Sequence, residues 1–152
     1  MTRVHGARRT SRLLIVAGVL GLFVGAAHTQ TNQRFRGRLS VLPIDFTTAP
    51  SMSGVGEAHA TLTGATLVIM GDFAGLSSPA TAAHVHQARP ARRGPVALTL
   101  DVVSGRSGTL AGTFTLDAAA QDALRGGDYY VQIHTENNRG GELRGWLLPP
   151  RP

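Results

Sequence analysis

The sequence predicts an all-β domain: a Greek-key β-sandwich or partly closed barrel of seven to eight antiparallel strands with one short helix. Three observations predict it. From Arg34 onward, apolar residues recur in short runs at every second position, the period of a strand with one buried face. Gly, Pro, Ser and Asn separate these runs, and those are the residues that turn a chain. Only "LDAAAQDALRGG", residues 116–127, abandons period two for good helix formers. Short strands joined by short loops bury one face each in a sandwich or barrel.

Taken in order, residues 28–33, "HTQTNQ", are polar and read as a flexible lead-in. In "RFRGRLSVLP", Phe35, Leu39 and Val41 alternate with arginines and a serine, so one face is core and the other wet. The same logic gives strands at Gly54–Leu62, Thr66–Phe73, Thr81–His86, Val96–Val102, Thr109–Leu116, Tyr129–Thr135 and Glu142–Leu148. Leu67, Ile69, Phe73, Val85, Val96, Leu98, Leu100, Leu110, Phe114, Val131, Ile133, Leu143 and Leu147 are the expected core. Asp117 stands where a helix N-cap belongs, and Gly126 where a left-handed C-terminal residue belongs. The two-turn helix between them should lay Leu116, Ala120 and Leu124 over one end of the sheet. The tail, residues 149–152 ("PPRP"), ends pairing and is expected to fray.

The first 27 residues read differently. Arg3, Arg8, Arg9 and Arg12 precede the uncharged run "LLIVAGVLGLFVGAA" from Leu13 to Ala27, which is the make-up of an export signal. Fifteen apolar residues fall short of the roughly 20 that span a bilayer. A signal peptide over residues 1–27 is therefore expected, with cleavage after Ala27 and Ala26 or Thr29 as alternative sites. The protein is then secreted or periplasmic and keeps no membrane span; the alternative is a retained membrane anchor. Arg8-Arg9 hints at twin-arginine export, although "TSR" follows where apolar residues belong.

Without that segment, eleven arginines remain against nine acids, a net charge of +2 in place of +6. The remaining excess lies in two short clusters, Arg34/Arg36/Arg38 and Arg89/Arg92/Arg93, with no aromatics interleaved. A nucleic-acid partner is not expected. The absence of cysteine excludes disulfides and thiolate metal sites.

Histidines carry the remaining chemistry. In "AAHVHQ", His84 and His86 are two residues apart and share a strand face. In "YYVQIHT", Tyr129, Val131 and Ile133 take the core side, which leaves Tyr130, Gln132 and His134 outside. If the two strands are neighbours, His84, His86 and His134 can form a three-nitrogen site for copper or zinc. The other possibility is three solvated side chains. His59 is a candidate fourth ligand, and His28 a terminal chelate if cleavage exposes its amino group. Arg144 is expected to pair with Glu142 or Glu136 across a turn, the alternative being that it approaches the His134 end of the sheet and attracts an anion, and "ENNRGG" at 136–141 is expected to turn on residues that tolerate positive φ. Tyr129, Tyr130 and Trp146 either form a small aromatic surface or complete the core. No Gly-x-Ser-x-Gly elbow or identifiable carboxylate pair is present, so binding is expected rather than catalysis.

From about Arg36 to Leu148 the chain resembles the chordin-type, or CHRD, domain family. The resemblance rests on "FAGLSSPATAAHVHQARPARRGPVALTLD" at 73–101, "SGTLAGTFTL" at 107–116 and "ALRGGDYYVQIHTENNRGGELRGWL" at 123–147. Gln87 replaces the usual glycine after the second histidine, and "VLPIDFTTAPSM" replaces the usual acidic-proline segment. The resemblance implies an extracellular binding module over residues 34–148. More distantly, Gly75-Leu76, His84, His86 and Ile133-His134 resemble the copper-ligand outline of copper–zinc superoxide dismutases, implying a copper-type triad. The histidine-rich zinc loop, bridging histidine and disulfide of that family are missing, so redox turnover is not expected. The leading expectation is an exported CHRD binding protein with a surface copper or other transition-metal site. The first alternative is a protein- or matrix-interaction module, and the second a reduced dismutase-like enzyme.

Overall fold

A computed structural model describes residues 31–41, 46–47 and 49–150. The expected signal peptide, His28 and the last two residues of the tail lie outside this range. The chain forms β1 (Asn32–Val41), a 3₁₀ turn at Ala49–Ser51, β2 (Val55–Thr63), β3 (Thr66–Ala74), β4 (Ala80–Gln87), β5 (Val96–Val102) and β6 (Gly108–Thr115). It continues with α1 (Ala118–Arg125), β7 (Tyr129–Thr135) and β8 (Leu143–Trp146). The first strand begins at Asn32, two residues inside the expected lead-in, because Asn32 and Gln33 pair with Thr63 and Leu62.

The eight strands close a barrel in the order β1-β2-β3-β6-β5-β4-β7-β8, all antiparallel. Strands β4, β5 and β6 follow one another by hairpins while β3 lies beside β6, which is a Greek key. Closure occurs where β1 pairs with β8, at Ser40–Arg144 and Val41–Leu143. A closed sheet leaves no unpaired edge.

Alternation along each strand fills the barrel. Leu67, Ile69 and Phe73 of β3 meet Val85 of β4 and Val131 and Ile133 of β7, all at most 2% exposed. Each fully buried side chain of this size contributes on the order of 1.5–3 kcal/mol. Phe35, Leu39, Leu100, Leu110, Leu143 and Leu147 complete the expected core, with Leu98 and Phe114 partly buried against it. Val96 does not join them and is half exposed. The pairing of β4 with β5 shifts register between Val85 and His86, so Val96 falls opposite His86 on the outer face.

The helix closes one end of the barrel as expected, with Leu116 and Leu124 buried and Ala120 packed against them. Asp117 caps it by accepting a hydrogen bond from the Ala120 amide. The C-terminus differs from expectation by one residue. Gly126 stays right-handed at φ −70°, and Gly127 takes the left-handed conformation at φ 76°. The Gly127 amide donates to Leu124 and the Asp128 amide to Ala123, the bond pair of a Schellman motif.

Candidate metal centre

The site lies on the outer face of the β4–β7–β8 ribbon. Val85 pairs with Val131 and both point inward, so their neighbours point out in rows. One row runs His86–Tyr130–Trp146, the next His84–Gln132–Arg144, and the third begins Ala82–His134. His134 is thus diagonal to His84, at a spacing that aromatic side chains bridge. Opposite His134, Ala82 presents only a methyl group.

The three imidazoles converge. His84 Nδ1 lies 3.1 Å from His134 Nε2, and one nitrogen from each of the three rings falls within 4.8 Å of the others. Metal–nitrogen bonds near 2.0 Å put ligand nitrogens roughly 3.3–3.5 Å apart. His84 and His134 already stand near that spacing, and His86 completes the set within 4.8 Å.

Backbone carbonyls fix two of the tautomers. His134 Nδ1 lies 2.8 Å from the Arg139 carbonyl, and His86 Nδ1 lies 3.0 Å from the Gly94 carbonyl. A carbonyl only accepts, so in the neutral rings each Nδ1 carries the proton and each Nε2 keeps its lone pair. For His134 that lone pair faces His84. For His86 it is buried and has no partner. Clamping one imidazole nitrogen on a carbonyl while the other faces a cluster is the usual support of a metal ligand.

The surroundings favour neutral rings. Burial holds the pKa of His84 below its ordinary value, and the neighbouring charges of His134 and His86 lower it further. Burial also lowers that of His86; the Gly94 hydrogen bond opposes this, while His134 and Arg144 add to it. Both rings are therefore available as ligands at neutral pH.

The outer face of β7 is not wet, as alternation alone suggests. Tyr130 and Gln132 are buried beneath two covers. The segment between β4 and β5 folds over one side: the Gly94 amide donates to the Tyr130 hydroxyl, and the Trp146 indole donates to the Ala88 carbonyl. Gly94 is needed because a Cβ there would collide with the Gln87 carbonyl. The β7–β8 turn covers the other side, where Gln132 Nε2 donates to the Gly140 carbonyl. Gly141 has positive φ in that turn, while neither asparagine does. Tyr130 stacks parallel on His86 with ring centres 4.9 Å apart, and packs against Trp146.

Arg144 does not pair with Glu142 or Glu136. It is only 8% exposed, donates from Nε and Nη2 to Gln132 Oε1, and places its guanidinium 4.6 Å from the Tyr130 ring centre. Glu142, just before β8, is buried. Its carboxylate accepts hydrogen bonds from the Ser53 and Ser77 amides, both hydroxyls of Ser77 and Thr135, and Asn138. Burial alone would raise its pKa, but these bonds outweigh burial and hold it below the usual value. Nothing in the sequence around Glu142 announced this network, since Ser53 and Ser77 come from two distant loops to join Thr135 and Asn138 of the neighbouring turn.

His59 does not reach the cluster. It lies exposed on β2, 3.6 Å from Glu57 and opposite Met70 of β3. His28 lies outside the described residues. A broad groove between Arg36, Glu57, Asp72 and Leu148 holds none of the three clustered histidines.

No curated protein and no solved structure matches the chain. The family model for the CHRD domain matches residues 36–147, which takes in seven of the eight strands whole, most of β1 and all three converging histidines. The chain therefore belongs to the CHRD domain family.

Proposed function

We propose that this CHRD chain is an exported binding protein that holds a transition metal on His84, His86 and His134, with copper the first expectation and zinc the second. One observation carries it: the His86 Nε2 atom is buried without a partner, on one of three histidines that each offer a nitrogen within 4.8 Å of the others. A stranded polar atom costs about 1–3 kcal/mol, and a metal ion would remove that cost. Three neutral imidazoles with no thiolate or carboxylate suit copper or zinc and leave a coordination position open. Residues 1–27 support export by their composition, and no helix among the described residues is long and apolar enough to cross a membrane.

Calorimetric titration of the metal-free protein with copper and with zinc tests the proposal. One equivalent should bind, and His86→Ala should weaken that step 100-fold or more, on the order of 3 kcal/mol, while His59→Ala leaves it intact. A His28→Ala control separates any terminal chelate from the barrel site. Equal binding by the wild type and a His84/His86/His134 triple alanine variant would contradict the proposal.

A contact module without metal is favoured by a different feature. Val55, Val68 and Met70 are exposed on the outer faces of β2 and β3. That reading requires partner capture to survive the triple alanine substitution and to fail on Met70→Asp.

A further inference from the structure

The carbonyl that clamps His134 belongs to a turn whose ties are unevenly spread. Arg139 supplies that carbonyl, 2.8 Å from His134 Nδ1, and its own side chain is exposed. The next two residues are Gly140 and Gly141, the residue type that restricts the backbone least. One side-chain bond steadies them, from Gln132 Nε2 to the Gly140 carbonyl. On the other side of Arg139, Asn138 is held at every polar group it has. Its amide donates to Thr135 Oγ1, and its carbonyl accepts from the Thr135 and Gly141 amides. Its side chain accepts from Ser51 Oγ and donates to the Ser51 carbonyl, Ser77 Oγ and Glu142 Oε2.

These ties meet at Glu142. Its Oε2 accepts from Thr135 Oγ1 at 2.6 Å, Ser77 Oγ at 2.9 Å and Asn138 Nδ2 at 3.1 Å, while Oε1 accepts from the Ser53 and Ser77 amides. Thr135 directly follows His134, and Asn138 directly precedes Arg139. Both ends of the His134–Arg139 clamp are therefore one residue from a group bonded to the same carboxylate oxygen. Only an ionised carboxylate suits the place, because all five contacts arrive as donors. A glutamine would turn its own NH2 on one set of them. The hydroxyls of Thr135 and Ser77 can rotate to accept it, but the Asn138 amide group cannot.

We propose that Glu142 is a positioning residue for the metal centre: by holding Thr135 and Asn138 on one oxygen, it sets the Arg139 carbonyl against His134 Nδ1 and keeps His134 Nε2 turned toward the other two histidines. The inference rests on the metal reading and gives the buried network a task within it. Glu142 is not a ligand, and it acts only through the turn.

Nitrogen–proton correlation NMR of the metal-free protein tests it, since that measurement reports which imidazole nitrogen carries the proton. The spectra are taken above the ordinary histidine pKa of about 6.5. In the wild type His134 should carry its proton on Nδ1 alone, and in Glu142→Gln it should become a mixture of the two tautomers. Zinc titration should then show one equivalent binding roughly tenfold more weakly or worse, the usual loss when a ligand's support is removed. Leu62→Ala, a buried change on β2, lowers stability by cavity formation, and should leave the His134 tautomer as it is. A mixture in Leu62→Ala as well would reduce Glu142 to a purely structural role and overturn the proposal. If Glu142→Gln fails to fold, Asn138→Ala replaces it, because it keeps the carboxylate with its other four hydrogen bonds. A His134 that stays protonated on Nδ1 alone in the folded variant overturns the positioning role and leaves the metal site standing. Failure of the wild type to bind copper or zinc overturns the metal reading, while the tautomers still decide whether Glu142 sets His134.

Discussion

His86 has one nitrogen committed to the Gly94 carbonyl and the other buried with nothing to meet. Replacing it with alanine removes a ligand and a stranded atom together. His86→Ala should therefore lose metal affinity by 100-fold or more, on the order of 3 kcal/mol, while in the metal-free protein losing the Gly94 bond and the Tyr130 stack is partly offset by removing the stranded atom, for a net cost of about 1 kcal/mol, as paired titration and thermal melts would show. Glu142 is the opposite case. It is 1% exposed and accepts bonds from four residues, so Glu142→Gln strands donors and should destabilise the fold by about 2–4 kcal/mol in urea unfolding. Both kinds of residue set the acid response. His84 and His86 bind protons less readily folded than unfolded, so stability should decline as pH falls below their ordinary value of 6.5. Glu142 adds a second decline below its ordinary 4.5, continuing through its depressed folded value. Stability that rises on acidification from pH 7 to 5 would contradict these assignments. The facing of His84, His86 and His134 was legible from strand alternation. The roles of Arg144 and Glu142 were not, because their partners lie on other elements.

At the scale of elements, the segment between β4 and β5 decides whether the histidine face is a surface or a site. It contributes the Gly94 carbonyl to His86, the Gly94 amide to Tyr130 and the Ala88 carbonyl to Trp146. Gly94→Ala would drive a methyl group into the Gln87 carbonyl. It should lower stability by about 1–3 kcal/mol and weaken metal binding with it, since His86 loses its clamp. Ala91, by contrast, sits at φ 64° without being glycine. Ala91→Gly relieves a left-handed strain of about 1–2 kcal/mol but adds unfolded-chain entropy, so a net gain below about 1 kcal/mol is expected. A loss in melting temperature would count against that local geometry. The sequence showed "QARPARRGP" as a basic loop and nothing more, because a loop's packing depends on what it lands on. The helix was legible nearly to the residue, since Asp117 and the Gly126–Gly127 pair act locally. Its one-residue error at the C-terminus arose because either glycine can be the left-handed one.

For the whole molecule, period-two alternation predicted which residues fill the barrel but not that the barrel closes. Closure depends on pairing between β1 and β8, which are about a hundred residues apart in the chain. The same closure holds β4, β7 and β8 as one rigid ribbon, so the histidines are positioned before any ion arrives. A metal that binds only this folded arrangement stabilises the entire domain. At a hundredfold excess over Kd the gain is about 2.7 kcal/mol, or on the order of 10 °C in Tm for a domain of this size. Calorimetry should find that shift in the wild type and lose it in the triple alanine variant. X-ray absorption of the copper-loaded protein tests the central claim most directly, because it counts the imidazoles around the ion. Three imidazole nitrogens at about 2.0 Å, falling to no more than one in the His84/His86 double alanine variant, is the predicted result. A first shell with a single imidazole, or one unchanged by that double substitution, would contradict it.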